Sequence, residues 1–434
     1  MDKMADVLGR AGAWCGQNKY LSAIKNAFQN FMPLTIAGAI GVLWCNVLVS
    51  DQTGLGLFFK PIMALDFLNP AFQAVNFCTI SCITVGITLG IAQEIGVWNM
   101  GAERAGYIPG LVGLAAWLSV TNTSHMVDGA KEAFTGIAGN ELGATGLFTG
   151  MIIGVLSVEL FCFFEKQDAL KIKMPEQVPP GVARAFEVLV PATITLIITA
   201  CIGSACYNLT GLYLNDVIKN GIQGPLGAVG ATIPGVMIIY LVIMLFWLVG
   251  IHGNNMLSAV KEALFTPLAL ENVEAFNKGE TPKNIINMYA LQMWGEFGGS
   301  GVTIGLVIAI MIFGKREDNK AIATLSLVPG LFNINETVTF GIPMVLNPIL
   351  GIPFVVAPLV TIIIGYVLTV IGFCPVACLT VPWTTPPIVF GFLACGANVM
   401  GAVTQAILIV VSTVIYVPFL ISYEKYQNKQ AAEA

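Results

Sequence analysis

Charge is what this chain of 434 residues has least of. Lys, Arg, Asp and Glu together make up 10% of it, against about 25% in an ordinary soluble domain. Hydrophobic residues make up 56% and mean hydropathy is +0.80, a balance that excludes a water-soluble fold and makes the chain an integral membrane protein. Histidine is nearly absent: only His125 and His252 occur, which excludes a histidine-rich metal centre. The ten cysteines contain no C-x-x-C pair, and most of them (Cys45, Cys78, Cys82, Cys162, Cys201, Cys206) fall in apolar runs. They read as small packing residues rather than disulfides or metal ligands, so neither a metal nor a cofactor is expected. No P-loop is present, so ATP-driven transport by this chain alone is not expected. The net charge of −5 is spread thinly, and nothing points to nucleic acid. A secretory signal fits poorly, since residues 1–30 are polar and amphipathic with no compact apolar core.

A helix needs about 20 apolar residues to cross the hydrocarbon layer. Clear candidates are 31–50, 73–97, 105–121, 142–164, 187–210, 226–250, 290–314, 357–373 and 400–422. Residues 20–30 read as a helix on the membrane surface. Two further apolar regions, 251–270 and 321–350, are irregular. Pro343, Pro348, Pro353 and Pro358, then Pro375, Pro382, Pro386 and Pro387, should break any regular helix there. Broken backbone survives in a membrane only inside protein or around a wet cavity. The fold expected is therefore all-α and integral to the membrane, with about ten transmembrane helices, two re-entrant hairpins and surface amphipathic helices. Residues 166–186 and 261–289 are the longest cytoplasmic-type segments and too short for a soluble core. Lys3, Arg10, Lys19 and Lys25, then Lys166, Lys171, Lys173 and Arg184, then Lys425 and Lys429 mark the cytoplasmic side and place both termini there. The side of the loop 315–320 depends on the number of crossings.

Against that background single polar residues stand out. From Ala321 to Tyr423 the only charged residue is Glu336, set in Asn333-Ile-Asn335-Glu336. A carboxylate at membrane depth costs several kcal/mol unless paired, hydrated or neutralised. It either faces water at an interface or, with Asn333 and Asn335, shares a polyol ligand. His252 is isolated in the same way, with no charged residue from Ile222 to Val260. Gly250, Gly253, Asn254 and Asn255 around it mark a turn with spare donors and acceptors. Trp247 and Trp383 lie nearest these turns. Each is either an interfacial anchor or a stacking face for a sugar ring. Glu296 begins a span beside a glycine cluster, 298–301, which serves close helix packing or a ligand. Glu94 and Arg104 read as an interfacial pair of charges.

Three stretches, GIHGNN (250–255), NINETVTFGIPMVLNPILGIPFVVAPL (333–359) and VPWTTPPIVFGFLACG (381–396), together resemble the membrane subunit, enzyme IIC, of bacterial phosphotransferase systems of the lactose, cellobiose and diacetylchitobiose group. The similarity runs through the chain, including FMPLTIAGAIG at 31–41 and GATGLFTGMIIG at 143–154. The resemblance implies a homodimer of ten-helix protomers in the bacterial cell (inner) membrane. Residues 1–215 would form the dimerisation domain and 216–434 the sugar-binding and transport domain with its hairpins. It implies an external sugar substrate, a β-linked disaccharide, phosphorylated at its C6 hydroxyl as it reaches the cytoplasm. The phosphoryl donor is a cysteine of a separate enzyme IIB, charged by enzyme IIA. On matching positions, Glu336 and His252 would contact the C6 hydroxyl, while Trp247 and Trp383 pack on the rings. Asn254, Asn333, Asn335 and Glu296 complete the expected substrate contacts. Thr337 and Thr339 depart from the commoner pattern, in which proline and apolar residues follow the glutamate, and leave the identity of the sugar open.

Two other classes compete. A proton-coupled secondary sugar transporter would use Glu336 as its protonation site and the hairpins as gates. A membrane enzyme for a lipid-linked substrate needs a clustered Asp/Arg or Asp/metal site, and the C-terminal half offers only isolated ionisable groups.

Overall fold

The computed structural model describes the chain except residues 1–9, 11–13, 15–16, 51–54, 126–133, 176, 226–229, 343 and 434. Lys3, Pro343 and the start of the 226–250 span fall outside the described residues. The principal helices are α1 (Lys19–Leu43), α2 (Ile83–Met100), α3 (Ile108–Val120), α4 (Ala144–Glu165), α5 (Pro180–Thr210), α6 (Ile233–Leu248) and α7 (Ser258–Asn277). They continue with α8 (Met288–Gly295), α9 (Ile304–Phe313), α10 (Glu317–Leu331), α11 (Glu336–Gly341), α12 (Gly351–Val370), α13 (Val389–Ala394) and α14 (Val399–Glu433). The sheet among the described residues is one short antiparallel pair, Ser124–His125 with Phe134–Thr135. Among the described residues five helices are long and apolar enough to cross a membrane, and up to seven if each of two bent pairs is one span. Ile108–Val120 and Ile233–Leu248 are shorter apolar helices. The protein is an all-α, multi-pass membrane protein.

Two compact units divide the chain. One gathers Met1–Gly16, Gly38–Asn76 and Ala228–Ala434; the other Gln17–Ala37 and Phe77–Gly227. The segment 38–76 thus groups with the later half, a grouping that a boundary near residue 215 does not draw. Its anchors explain why. Val42 and Val47 are buried in one cluster with Cys378 and Leu379, and Asn46 Nδ2 donates to Asn277 Oδ1 at 3.0 Å.

In the second unit α2, α3, α4 and α5 pack together around Trp117, Ile87, Ile91, Ile95, Leu147 and Phe161, all fully buried. Glu165, at the end of α4, is buried between two guanidinium groups, Arg104 at 2.8 Å and Arg184 at 2.9 Å. Arg104 is therefore not paired with Glu94, which instead accepts from Asn26 Nδ2 at 2.9 Å.

The first unit has its core among α6, α7, α8, α9, α12 and α14, with Tyr240, Phe265, Trp294, Phe297, Phe354 and Tyr416 inside. Four regions differ from the sequence reading. Residues 20–30 do not form a separate surface helix: α1 runs unbroken from Lys19, because Pro33 removes one donor without ending the helix. Residues 258–277 form a regular helix through Pro267, so the irregular reading of 251–270 does not describe them. Pro353 and Pro358 also sit inside one continuous helix, α12. Pro353 falls in the first turn, where its missing N–H costs nothing. Conversely, the single span expected at 290–314 is broken, and the halves Met288–Val302 and Ile304–Phe313 meet at 60°. Gly298, Gly299 and Gly301 turn the chain there at φ of 70°, 87° and 78°, conformations open mainly to glycine. The carbonyls freed by the break find partners inside the protein, as membrane burial demands. Thr303 Oγ1 donates to Gly298 O at 2.6 Å, and the Tyr416 hydroxyl donates to Gly301 O at 2.8 Å.

Candidate functional site

The first part of the site is the end of α6. Gly250, at φ 82°, reverses the chain so that His252 becomes the cap of a short helix, Gly253–Met256. Only glycine fits at 253, where an added Cβ would lie 2.0 Å from Ile243 O. The Asn255 N–H donates to His252 Nδ1 at 3.2 Å, so Nδ1 carries no proton in this arrangement. In the neutral ring the proton then sits on Nε2. That nitrogen lies 3.7 Å from Glu336 Oε1, and the two side chains are 38% and 47% exposed. The gap is longer than a hydrogen bond, and an oxygen set to one side of the pair, about 2.8 Å from each atom, could bond both.

Trp247 stands behind the imidazole, with ring centroids 4.4 Å apart and Phe354 against it edge-on at 6.3 Å. It is 2% exposed. In this conformation Trp247 backs His252 and does not present an open face.

Glu336 opens α11 after the turn that ends α10. Asn333 in that turn adopts φ 63°, a left-handed conformation asparagine tolerates. Its side-chain amide makes three hydrogen bonds: Oδ1 accepts from Gly298 N–H at 2.6 Å, and Nδ2 donates to Trp383 O at 2.5 Å and Thr385 O at 3.1 Å. Asn335 is buried and donates to Ser300 O at 2.8 Å. Asn254 Nδ2 donates to Ser300 Oγ at 2.9 Å. Asn333 and Asn335 thus hold the broken backbone around 298–300, and Asn254 holds the Ser300 side chain. Trp383, by contrast, is 43% exposed on its proline-rich loop.

Glu296 is spent internally. Lys261 Nζ bonds its Oε1 and lies 3.5 Å from Asn254 Oδ1, while the Tyr240 hydroxyl donates to the same Oε1 at 2.7 Å. The ammonium also sits 5.5 Å from the Tyr240 ring centroid. Lys261 was not expected here. Its signal was periodicity: 261, 265, 269 and 273 fall on one stripe of α7, and all four are buried. Thr339 is buried as well, which keeps its hydroxyl from a ligand, while Thr337 is exposed. Among the described residues no group of three or more His, Cys, Asp or Glu could hold a metal ion.

The arrangement thus brings His252 and Glu336 to one exposed place and ties Trp383 to the Glu336 turn through Asn333. It turns Trp247, Asn254, Asn333, Asn335 and Glu296 into the scaffold beneath. A hydrogen-bond donor, a carboxylate and an aromatic face, in a chain otherwise apolar, suit a polyhydroxylated ring.

Comparison with known proteins agrees on one family. The model of the phosphotransferase system EIIC family matches residues 25–358. The oligo-beta-mannoside-specific EIIC component of Bacillus subtilis is 32% identical over 98% of this chain and 94% of that protein. The cellobiose-specific EIIC component of Lactococcus lactis subsp. lactis is 30% identical over 98% of both chains. Among solved structures, the transporter ChbC, the IIC component of the N,N'-diacetylchitobiose-specific phosphotransferase system, superposes with a TM-score of 0.88 at 30% identity, covering 97% of each chain.

Proposed function

The chain belongs to the phosphotransferase system EIIC family, and from that premise we propose that it carries a β-linked disaccharide and presents its C6 hydroxyl for phosphorylation between His252 and Glu336. The observation that carries this reading is the 3.7 Å separation of His252 Nε2 and Glu336 Oε1 with both side chains exposed. A hydroxyl set beside the pair, about 2.8 Å from each atom, accepts from Nε2–H and donates to the carboxylate. In the reaction the C6 oxygen attacks the phosphoryl group on the cysteine of enzyme IIB. The O–P bond forms, the S–P bond breaks, the thiolate leaves with its electron pair and the hydroxyl proton passes to Glu336. Positioning supplies much of the catalysis of phosphoryl transfer. The exposed Trp383 offers an apolar face for a sugar ring, and the buried Trp247 fixes His252 from behind. Enzyme IIA charges enzyme IIB. The protein works as a homodimer through the earlier helices, with its termini in the cytoplasm of a bacterial cell.

Glu336→Gln tests this reading. The amide keeps the volume and can still hydrogen-bond, but it cannot take the proton. Loss of general-base assistance costs about 10²–10⁴-fold in rate, whereas one altered hydrogen bond costs about 0.5–1.5 kcal/mol in affinity. Sugar phosphorylation by phospho-enzyme IIB in proteoliposomes should fall much further than equilibrium binding. A variant that phosphorylates at the wild-type rate makes Glu336 structural. Gradient-driven uptake without any phosphoryl donor would move the protein to the proton-coupled class.

A further inference from the structure

The loop that carries Trp383 cannot satisfy its own backbone. Pro382, Pro386 and Pro387 contribute no N–H, so the carbonyls of Trp383 and Thr385 need donors from elsewhere. One side chain supplies both, Asn333 Nδ2 at 2.5 and 3.1 Å. The other side of the same loop hangs from a second amide: Gln405, 1% exposed, accepts from Ile388 N–H at 2.7 Å and Gly391 N–H at 2.8 Å. Gln405 belongs to α14, whereas Asn333 is three residues from Glu336 and also receives Gly298 N–H. Trp383 is too exposed for burial to fix its ring, so its backbone must.

We infer that Asn333 is a positioning residue that acts through Trp383, setting the offset between the aromatic face and the His252–Glu336 pair and so the sugar that spans them. This deepens the proposed function and rests on it. Asn333 acts without donating to the sugar, since both of its N–H groups are committed to the loop carbonyls. Discrimination among β-linked disaccharides then depends on a residue that donates nothing to them.

Two substitutions separate this role from a structural one. Asn333→Gly accepts φ 63° without strain and loses only the amide. Asn333→Asp keeps an acceptor for Gly298 N–H and turns carboxylate oxygen toward two carbonyls. The experiment is calorimetric binding to the purified full-length protein, with cellobiose, lactose and diacetylchitobiose as probes, in a double-mutant cycle with Trp383→Ala. Asn333→Gly should weaken the best-bound probe about tenfold, as expected for losing one or two hydrogen bonds, and compress the spread among the three. In the Trp383→Ala background it should change binding less than about twofold. Where Asn333→Gly fails to fold, the same cycle is read with Asn333→Asp. Wild-type binding to at least one probe with additive losses, or with no loss from the Asn333 variant, overturns the positioning role alone. Wild-type protein that binds none of the three overturns the proposed function and this inference with it.

Discussion

Lys261→Met, alone and with Glu296→Gln, is the sharpest test of how this site is supported. The Lys261 and Glu296 side chains are 6% and 16% exposed, so water does little to screen them. Removing the ammonium leaves a carboxylate whose remaining named donor is the Tyr240 hydroxyl at 2.7 Å. Breaking one partner of a buried pair costs about 3–5 kcal/mol, because the other charge stays uncompensated. The double variant has no charge to strand. Methionine fills much of the volume of the lysine stem, and the glutamine carbonyl still accepts from Tyr240. Neutral replacements of whole buried pairs are often harmless or stabilising, so the double variant should lie within about 1 kcal/mol of wild type or above it. Unfolding in mixed micelles, titrated with a denaturing detergent, reads both values. A Lys261→Met variant as stable as wild type would show that the pair is solvated. A double variant as damaged as the single one would show that lysine packing, not charge, is what α7 requires.

Two further outcomes follow from the same structure. Thr339→Val should raise stability by about 0.5–1.5 kcal/mol in the same titration, because Thr339 Oγ1 is buried without a protein partner and its desolvation is uncompensated; a loss of stability would reveal a bound water. In a cysteine-free background, single cysteines at Leu111, Leu156 and Ile197, all exposed apolar positions of the second unit, should give dimer cross-links at one or more sites. Cysteines at Ile363 and Val410 should give none, and the reverse pattern would move the dimer contact to the sugar-binding half.

The fold class and the family were legible because they rest on long signals: scarce charge, repeated apolar runs and three motif stretches. Glu336 and His252 were legible for a different reason, isolation. A single ionisable group in a charge-free run is visible however the chain folds. What sequence could not give was direction. Asn254, Asn333 and Asn335 have the composition of a ligand site, yet all three bond backbone or scaffold groups, and only the geometry of the break at 298–301 creates that demand. Hydropathy missed the break because glycines are small and apolar, so 290–314 still averages as a span. Proline was weighted too heavily in α12, where the position within the turn decides its cost. Lys261 was hidden by its neighbours: Glu262, Glu271, Glu274 and Lys278 give the segment a cytoplasmic-type composition, while the buried stripe through Phe265 and Val273 belongs to a packed helix.

That direction also separates the two carboxylates that sequence put forward for the site. Both Glu296 and Glu336 stand where a helix is interrupted, and both would be costly if left bare in an apolar surround. Glu296 meets an ammonium and a phenol inside the unit, so its charge is neutralised and an incoming hydroxyl would compete with two fixed donors. Among the described residues Glu336 faces the His252 imidazole, whose Nε2 stops 3.7 Å short. Broken backbone in a membrane protein draws the nearby amides into its own repair, and here Asn333 and Asn335 bond it directly while Asn254 bonds the Ser300 hydroxyl. Polar capacity that survives this repair is what a substrate can claim. In this molecule the exposed part of it includes the Nε2 edge of His252 and the carboxylate of Glu336, 3.7 Å apart and close enough for one hydroxyl set beside them to reach both.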